Sequence, residues 1–586
     1  MLKADNSVSV RQYYFVISLV WILIFILIAR YFQIQVISFD AYAKKSNTNR
    51  IRKITTNAPR GLILDRNGEI LVDNNPTYVL TAIPGELLQK GEKFGLISNI
   101  IGLDSNRVSE NYKKYYRGKF TPTRLAKDLT FEQISKLEEN KYNLKGIYYQ
   151  QFPERYFPSK IRASHILGYV KEVDRSIRKN LSNKENYELG DMVGWNGLEK
   201  KYEQYLRGTR GVHFYQFDAF GRETGKVLEL KPQEASPGQN IITTIDINIQ
   251  FEIEKLMRNE KGVIIVGDPI KGEILGAVSA PDFRPNLFTG RMSEEEWKNV
   301  LYHPDKPLIN RLNQGLYPPG SIVKMITQSR LLENPTFDPE QELKCDGSYQ
   351  FGDRLFRCWW ENGHGNVNLS SAIINSCDIY FYRTIGYYDL DLLAKSFNMF
   401  GFGKISGLDI VSESKGIVPS SKFMNERYGN FGWSKGAILN ICIGQGEILV
   451  TPIQVFNFTN LLATKGLAQV PHLVMVDYLP KNVSPKLSLN IWNRISNDME
   501  NVVMHKNGTG KSAYPDIQGI KVFGKTGTAE NPHGKDHAWF IGWIESENQM
   551  YSVVVLLENS GSGGTKAAPI AKKVFQSIYN NIIDIG

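Results

Sequence analysis

Four cysteines in 586 residues are too few for a disulfide scaffold, so the chain must hold itself together with ordinary cores. There is no second long apolar run after the first, so the bulk of the chain lies on one side of any membrane that the first run crosses. There is also no long Lys/Arg block, and the aromatics are not interleaved with basic residues. This weighs against nucleic acid as a partner despite a net charge of +10. The basic balance suits acidic lipid or an anionic wall polymer instead. What remains, 42% hydrophobic and 22% charged residues, is an ordinary globular composition, and the length allows two or three domains.

The first apolar run is Phe15 to Ala29, interrupted only by Ser18 and flanked by Tyr13, Tyr14, Tyr31 and Phe32. With its flanks it reaches the ~20 residues needed to cross a bilayer, and the aromatics stand where interfacial belts stand. A cleaved signal peptide is the competing reading, since Ala41-Tyr42-Ala43 resembles a cleavage site. The run is at the upper limit for such a segment, and that site lies more than ten residues beyond its end. An uncleaved single anchor is therefore expected over 13–36, after a cytoplasmic tail, 1–12.

Residues 37–236 read as a β-rich module of short elements. Arg60 to Gly68 is a strand ending in an Asn67-Gly68 turn, with Glu69-Ile70-Leu71-Val72 returning as the second strand of a hairpin. An insertion at about 86–150 is Lys/Glu-rich and helical in pattern. Further segments are Arg155 to Val170, containing a lone His165 read as structural, and Gly197 to Gly208. None carries a nucleophile beside a base. A polar Pro/Gly-bearing stretch, Lys231 to Gly238, closes the module. The domain 237–586 then opens with two core strands, Gly262–Val266 and Ile274–Val278. At about 350 residues it is long for one core and implies a helical and a sheet lobe, an α+β arrangement within the α/β class.

The chemistry centres on Tyr317-Pro318-Pro319-Gly320-Ser321-Ile322-Val323-Lys324. Pro-Pro-Gly breaks the chain, and the apolar residues after it predict a buried helix starting near Ser321. At i and i+3, Ser321 and Lys324 share a face of it. The pattern is weak alone: Ser412 and Lys415 repeat the spacing by accident, with no helix after them. The ordered set is informative. Ser376-Cys377-Asp378 lies about 55 residues on and Lys525-Thr526-Gly527-Thr528 about 150 beyond that. Ser321 needs a base, and Lys324 could serve if burial and the nearby Lys525 charge lower its pKa. Ser376 could relay a proton to the departing amine, and Asp378 could orient either ammonium. Lys525, Thr526 and Thr528 on a strand edge suit a substrate carboxylate, with Gly527 allowing close approach. The N–H groups of Ser321 and Thr528 would form an oxyanion hole.

These motifs, with the anchor, the segments at 60–68, 155–170 and 197–208, Gly444-Gln445-Gly446, Thr451-Pro452-Ile453-Gln454 and Ala538-Trp539-Phe540-Ile541-Gly542, make the chain resemble class B penicillin-binding proteins over nearly its whole length. Ser-Cys-Asp and Lys-Thr-Gly-Thr are similar to the elongation branch, penicillin-binding protein 2. The division branch more often shows Ser-x-Asn and Lys-Ser-Gly. The resemblance implies a pedestal of the dimerisation type and a transpeptidase domain like that of the serine β-lactamases. It also implies cross-linking of peptidoglycan stem peptides through an acyl-serine at Ser321, which β-lactams would also acylate. It places the bulk of the chain outside the bacterial cytoplasmic membrane. No glycosyltransferase domain is visible, so the resemblance points to a RodA-like polymerase and an elongation scaffold such as MreC as partners. A division-type transpeptidase, a β-lactamase or carboxypeptidase, and a non-catalytic β-lactam sensor or scaffold remain as alternatives.

Three of the four cysteines, Cys345, Cys358 and Cys377, fall within 33 residues, with His364 among them. Three thiols and an imidazole make a closed tetrahedral zinc set, although the spacing is looser than a zinc finger's. A Cys345–Cys358 disulfide or reduced buried thiols are the competing readings. The resemblance favours zinc, since some elongation enzymes carry it at corresponding positions with other ligand mixtures. Cys377 is the middle of Ser376-Cys377-Asp378, so a metal there would fix the loop that carries both outer residues.

Overall fold

The fold is described from a computed structural model, over residues 10–40, 42, 51–87, 90–119, 121–217, 223–227, 230–289, 294–475, 485–547 and 549–584. Residues 1–9 of the expected tail, and Ala41 and Ala43 of the signal-like site, lie outside these. The apolar run forms one helix, Val10–Phe32, prolonged by a π-turn, Gln33–Ile37. An 18-residue window of Val10–Ile37 has a mean hydropathy of 2.5 and is unburied, as expected of a helix long and apolar enough to cross a membrane.

Two compact units follow. The first gathers residues 1–59, 76–153 and 208–237. It contains a three-stranded antiparallel sheet in which Ile51–Thr56 and Glu223–Lys226 flank Gly211–Phe217. Its insertion holds the helices Lys90–Ile101, Ser105–Tyr115 and Phe131–Glu139 and the strand Thr123–Ala126, around Leu80, Phe94, Ile97, Val108, Leu125 and Ile134. The third helix opens on a capping box, with Thr130 and Gln133 satisfying each other's backbone N–H groups.

The second unit gathers residues 60–75, 154–207 and 238–586, so the expected 37–236 segment is divided between the two units. The hairpin read from Asn67-Gly68 is present. Ile63 pairs with Val72 antiparallel, and Gly68 takes φ +89°, a left-handed value that suits glycine. Asp65 tightens the turn by accepting from the N–H groups of Asn67 and Glu69, each at 2.8 Å. The three motif segments of the module meet in a buried ion cluster. Glu199 accepts from Arg60 at 2.6 Å and from Arg155 at 2.5 Å, and Arg60 also reaches Glu203 at 2.8 Å. Pairing on both oxygens is what makes a fully buried carboxylate tolerable. Arg66 adds a bond to Glu273, at 3.3 Å.

The centre of this unit is an antiparallel sheet of Glu273–Ala280, Gly262–Asp268, Met550–Leu557, His537–Glu545 and Lys521–Ala529, in that spatial order. Gly262–Asp268 and Met550–Leu557 are Val/Ile-rich because both of their faces are covered. Alternate residues divide between two cores. Ile264, Val266, Phe540 and Val555 face the helices Ile247–Leu256 and Ala567–Ile578. Val263, Ile265, Ile541 and Val554 join the larger core, with the fully buried helix Pro452–Ala463. The larger core also takes in Ile63, Leu71, Phe157, Ile166 and Leu198 from the motif segments.

His165 lies in this core, edge-on to Phe283 at 5.2 Å between ring centroids. Burial pushes its imidazole down to about 4 from an ordinary 6.5. The unfolded chain therefore binds the extra proton more readily, and stability must fall as pH drops from about 6.5 towards 4. The loss for this one group is about 3 kcal/mol. Thermal melts between pH 7 and pH 4.5 should show a smaller acid-induced drop in His165→Gln than in the parent; equal slopes would remove His165 as the cause.

Candidate active site

The Pro318-Pro319-Gly320 turn delivers Ser321 into a 3-10 turn, Gly320–Val323, and Lys324 opens the α-helix Lys324–Leu332. The helix thus starts one turn later than the sequence pattern suggests. Gly320 has φ +59°, and a Cβ there would meet the Thr528 carbonyl oxygen at 2.7 Å. A Cβ on Gly527 would meet Ile322 at 2.8 Å. These two glycines allow the nucleophile turn to lie directly against the Lys525 strand, which is the edge of the sheet. Trp539 pins the turn by donating from its indole to the Pro318 carbonyl, at 3.1 Å.

Lys324 is fully buried, and its ammonium donates to Asp378 Oδ1 at 2.7 Å, to the Ser376 carbonyl at 2.8 Å and to Ser376 Oγ at 3.3 Å. Lys525, also fully buried, donates to Ser376 Oγ at 2.9 Å. The serine hydroxyl therefore bridges two lysines. Among the described residues no hydrogen bond joins Lys324 to Ser321 Oγ; the expected i, i+3 neighbour is turned to Ser376 and Asp378. Burial first, and then the Lys324 charge, push Lys525 well below the ordinary lysine range, with Asp378 partly opposing. Ser376 sits at φ +54°, a strained left-handed value for a non-glycine residue, between the helices Leu369–Ile374 and Asp378–Arg383. Thr526 Oγ donates to Thr509 Oγ at 2.7 Å, and Thr528 Oγ accepts from the Gly563 N–H at 3.3 Å.

Cys345, Cys358, His364 and Cys377 converge, with one ligand atom from each lying within 4.8 Å of all the others. Cys345 ends a strand paired with Gly365–Val367, Cys358 follows the hairpin Ser348–Arg357, and Cys377 caps the Asp378 helix. All four cysteines of the chain are free thiols, so no Cys345–Cys358 disulfide forms. His364 Nδ1 is 3.6 Å from Cys345 Sγ and 3.5 Å from Cys358 Sγ. A tetrahedral ion with ordinary Zn–S and Zn–N bonds would set such edges at about 3.6 Å. Hydrogen bonding, first from Cys377, holds the Cys345 and Cys358 thiols below their usual range, and the same bonds push the Cys377 thiol up, so without an ion Cys377 is the thiol that keeps its proton. This donor set fits a closed, four-ligand metal site.

The contacts of two residues were not legible from the sequence. The Trp359 N–H donates to Asp378 Oδ2 at 3.2 Å, and its indole donates to the Asn375 carbonyl at 3.0 Å. The residue after a cluster cysteine thus holds the carboxylate that pairs with Lys324. Gln445 donates to the Thr528 carbonyl at 3.1 Å. The Gly-Gln-Gly pattern marks its loop but not that reach.

Residues 262–576 match the penicillin-binding protein transpeptidase domain, and residues 55–243 match the penicillin-binding protein dimerisation domain. The chain belongs to the penicillin-binding protein transpeptidase family. Among relatives in this family, the peptidoglycan D,D-transpeptidase MrdA of Haemophilus influenzae is 32% identical over 99% of this chain and 93% of its own length. Penicillin-binding protein 2 of Helicobacter pylori, solved in complex with MreC, superposes with a TM-score of 0.83 at 30% identity, covering 91% of this chain and all of that one. A chain of a peptidoglycan synthase complex that coordinates polymerization and crosslinking gives 0.72 at 29% identity, over 97% and 98%. The family makes this chain a class B D,D-transpeptidase of the elongation type, as its Ser-Cys-Asp and Lys-Thr-Gly-Thr motifs suggest.

Proposed function

We propose that the chain cross-links peptidoglycan stem peptides with Ser321 as the acylated nucleophile. The observation that carries this reading is the buried array of Lys324, Ser376, Asp378 and Lys525 beside the Ser321 turn. In this reading the Lys324 ammonium first passes a proton through Ser376 Oγ to Lys525, whose burial favours the neutral amine. Ser321 Oγ then attacks the penultimate D-Ala carbonyl and gives its proton to the neutral Lys324 amine that results. Ser376, bonded to both lysines, relays a proton to the departing D-Ala amine. Thr526, Thr528 and Lys525 hold the terminal carboxylate, Gly527 lets the donor lie along the strand edge, and the N–H groups of Ser321 and Thr528 take the oxyanion. An amine from a neighbouring stem then resolves the ester. A fluorescent penicillin should label the intact protein once per chain and stay bound after free drug is removed. Release within minutes would identify a β-lactamase, and no labelling a scaffold.

Zinc is the metal proposed for Cys345, Cys358, His364 and Cys377, in a structural role, since four protein ligands leave no open position. It would brace the loop that presents Ser376 and Asp378. Cys358→Ser is expected to lower the melting temperature and the acylation rate together. Purified parent protein carrying under about a tenth of an equivalent of zinc would remove the idea. The N-terminal helix is read as a single-pass anchor in the cytoplasmic membrane, with the bulk of the chain outside it. An MreC-like scaffold is an expected partner, because a similar penicillin-binding protein 2 is solved with MreC. A RodA-like polymerase is expected from the family resemblance, and a similar chain belongs to a synthase complex that coordinates polymerization and crosslinking.

A further inference from the structure

Gln445 touches none of the titratable groups of the site, yet it lies between the two backbone segments that the proposed oxyanion hole needs. On one side its loop holds the nucleophile turn. The Gly444 carbonyl accepts from the Gly320 N–H at 2.8 Å, and a Cβ on Gly444 would meet the Gly320 carbonyl oxygen at 2.2 Å. On the other side its carboxamide closes the free edge of the Lys525 strand. Nε2 donates to the Thr528 carbonyl at 3.1 Å, and Oε1 accepts from the Glu530 N–H at 3.3 Å. The carboxamide thus takes the place of one more strand at the last rung of the sheet edge. The loop is itself fixed, since the Gln445 N–H donates to the Asn440 carbonyl at 2.9 Å and Val450 pairs with Tyr317 in both directions.

We propose that Gln445 is a positioning residue for the oxyanion hole: by binding Thr528 and Glu530 while its neighbour Gly444 binds Gly320, it sets the separation and aim of the Ser321 and Thr528 N–H groups. The inference rests on the reading of Ser321 as the nucleophile. The chemistry needs such a device because the two N–H donors come from elements about 200 residues apart in sequence, one on a 3-10 turn and one on an edge strand. Two donors stabilise a developing oxyanion only when both are already aimed at it. The Cβ-less approach of Gly320 to Thr528 sets how near the segments can come, and Gln445 fixes how far they can slide along each other.

Gln445→Leu and Gln445→Glu test this in the full-length protein. Leucine removes both bonds. Glutamate can still accept from the Glu530 N–H but cannot donate to the Thr528 carbonyl. The acylation rate constant at saturating penicillin is expected to fall about 10- to 100-fold in both variants, less than deleting a donor outright. The non-covalent dissociation constant should change less than about twofold. The infrared carbonyl band of the acyl-enzyme, formed with carbonyl-labelled penicillin, should move to higher wavenumber as the carbonyl loses its donors. A merely structural role would leave that band in place in whatever fraction folds. An acylation rate within about twofold of the parent, or an unmoved band, in either folded variant overturns the proposal. So does failure of both variants to fold, which would make Gln445 a folding residue. Covalent labelling that survives Ser321→Ala would instead overturn the underlying reading, whatever Gln445 does.

Discussion

Alanine at position 321 is expected to abolish covalent capture of penicillin, lowering acylation about a millionfold, as removal of an acyl-enzyme nucleophile does. The protein should otherwise remain intact. The turn is held by Trp539 on Pro318, by Gly444 on Gly320 and by the Tyr317–Val450 pairing, none of which uses the serine hydroxyl. Its melting temperature should therefore stay within a few degrees of the parent's. The accidental copy at Ser412 cannot take over. Ser412 and Lys415 are both exposed, and Ser412 lies in a loop at φ +67° with no helix behind it. Ser412→Ala should leave labelling unchanged, and mass spectrometry of the labelled peptide should place the adduct on the Gly320–Val323 turn. Full labelling of Ser321→Ala would sink the assignment.

Lys324→Met is expected to do two separable kinds of damage. It removes the proposed base, which costs acylation about 10²- to 10⁴-fold. It also leaves the Asp378 carboxylate buried without its ion-pair partner at 2.7 Å, a loss of about 3–5 kcal/mol in stability. The two effects part in the double variant Lys324→Met/Asp378→Asn. With both charges gone, most of the stability should return, because the cost lies in the orphaned carboxylate and not in the missing attraction. Acylation should stay low. Chemical denaturation and single-turnover labelling on the same three proteins would decide. Recovery of acylation in the double variant would show that Lys324 serves only to neutralise Asp378.

The sequence made the residue types of this site legible, because the order Ser-x-x-Lys, Ser-Cys-Asp, Lys-Thr-Gly-Thr is local information repeated three times. It could not show how they pair. Helical spacing predicts Lys324 beside Ser321, and a 3-10 turn still sets residue i over i+3, but the amine is drawn to Ser376 and Asp378, partners about 50 residues away that the spacing does not reveal. The Cys/His convergence was legible as composition, and the β-hairpins between Cys345 and His364 explain why such loose spacing can still close a cluster. Trp359 and Gln445 escaped because each acts through a bond to a group far away in sequence, Trp359 through its own backbone N–H and Gln445 on a backbone carbonyl. Nothing in their local sequence encodes that reach. The hairpin at Asn67-Gly68 was readable from its turn residues. Which core its apolar residues join was not, since Ile63 and Leu71 would look the same on any half-buried hairpin.

That core has a bearing on modularity. The segments 60–75 and 154–207 are interrupted in the chain by the insertion, yet their apolar residues are buried in the same core as Ile322, Met325 and Cys377. Burial of side chains such as Ile63, Leu71, Val72, Phe157, Ile166 and Leu198 is worth about 1.5–3 kcal/mol each, which together rivals the whole stability of a typical domain. A catalytic half cut at residue 237 would expose their partners to water. Exchange between relatives would have to carry 60–75 and 154–207 along with the catalytic half. The boundary that matters to inheritance is therefore not the one drawn along the chain, and the two halves of this protein are obliged to change together.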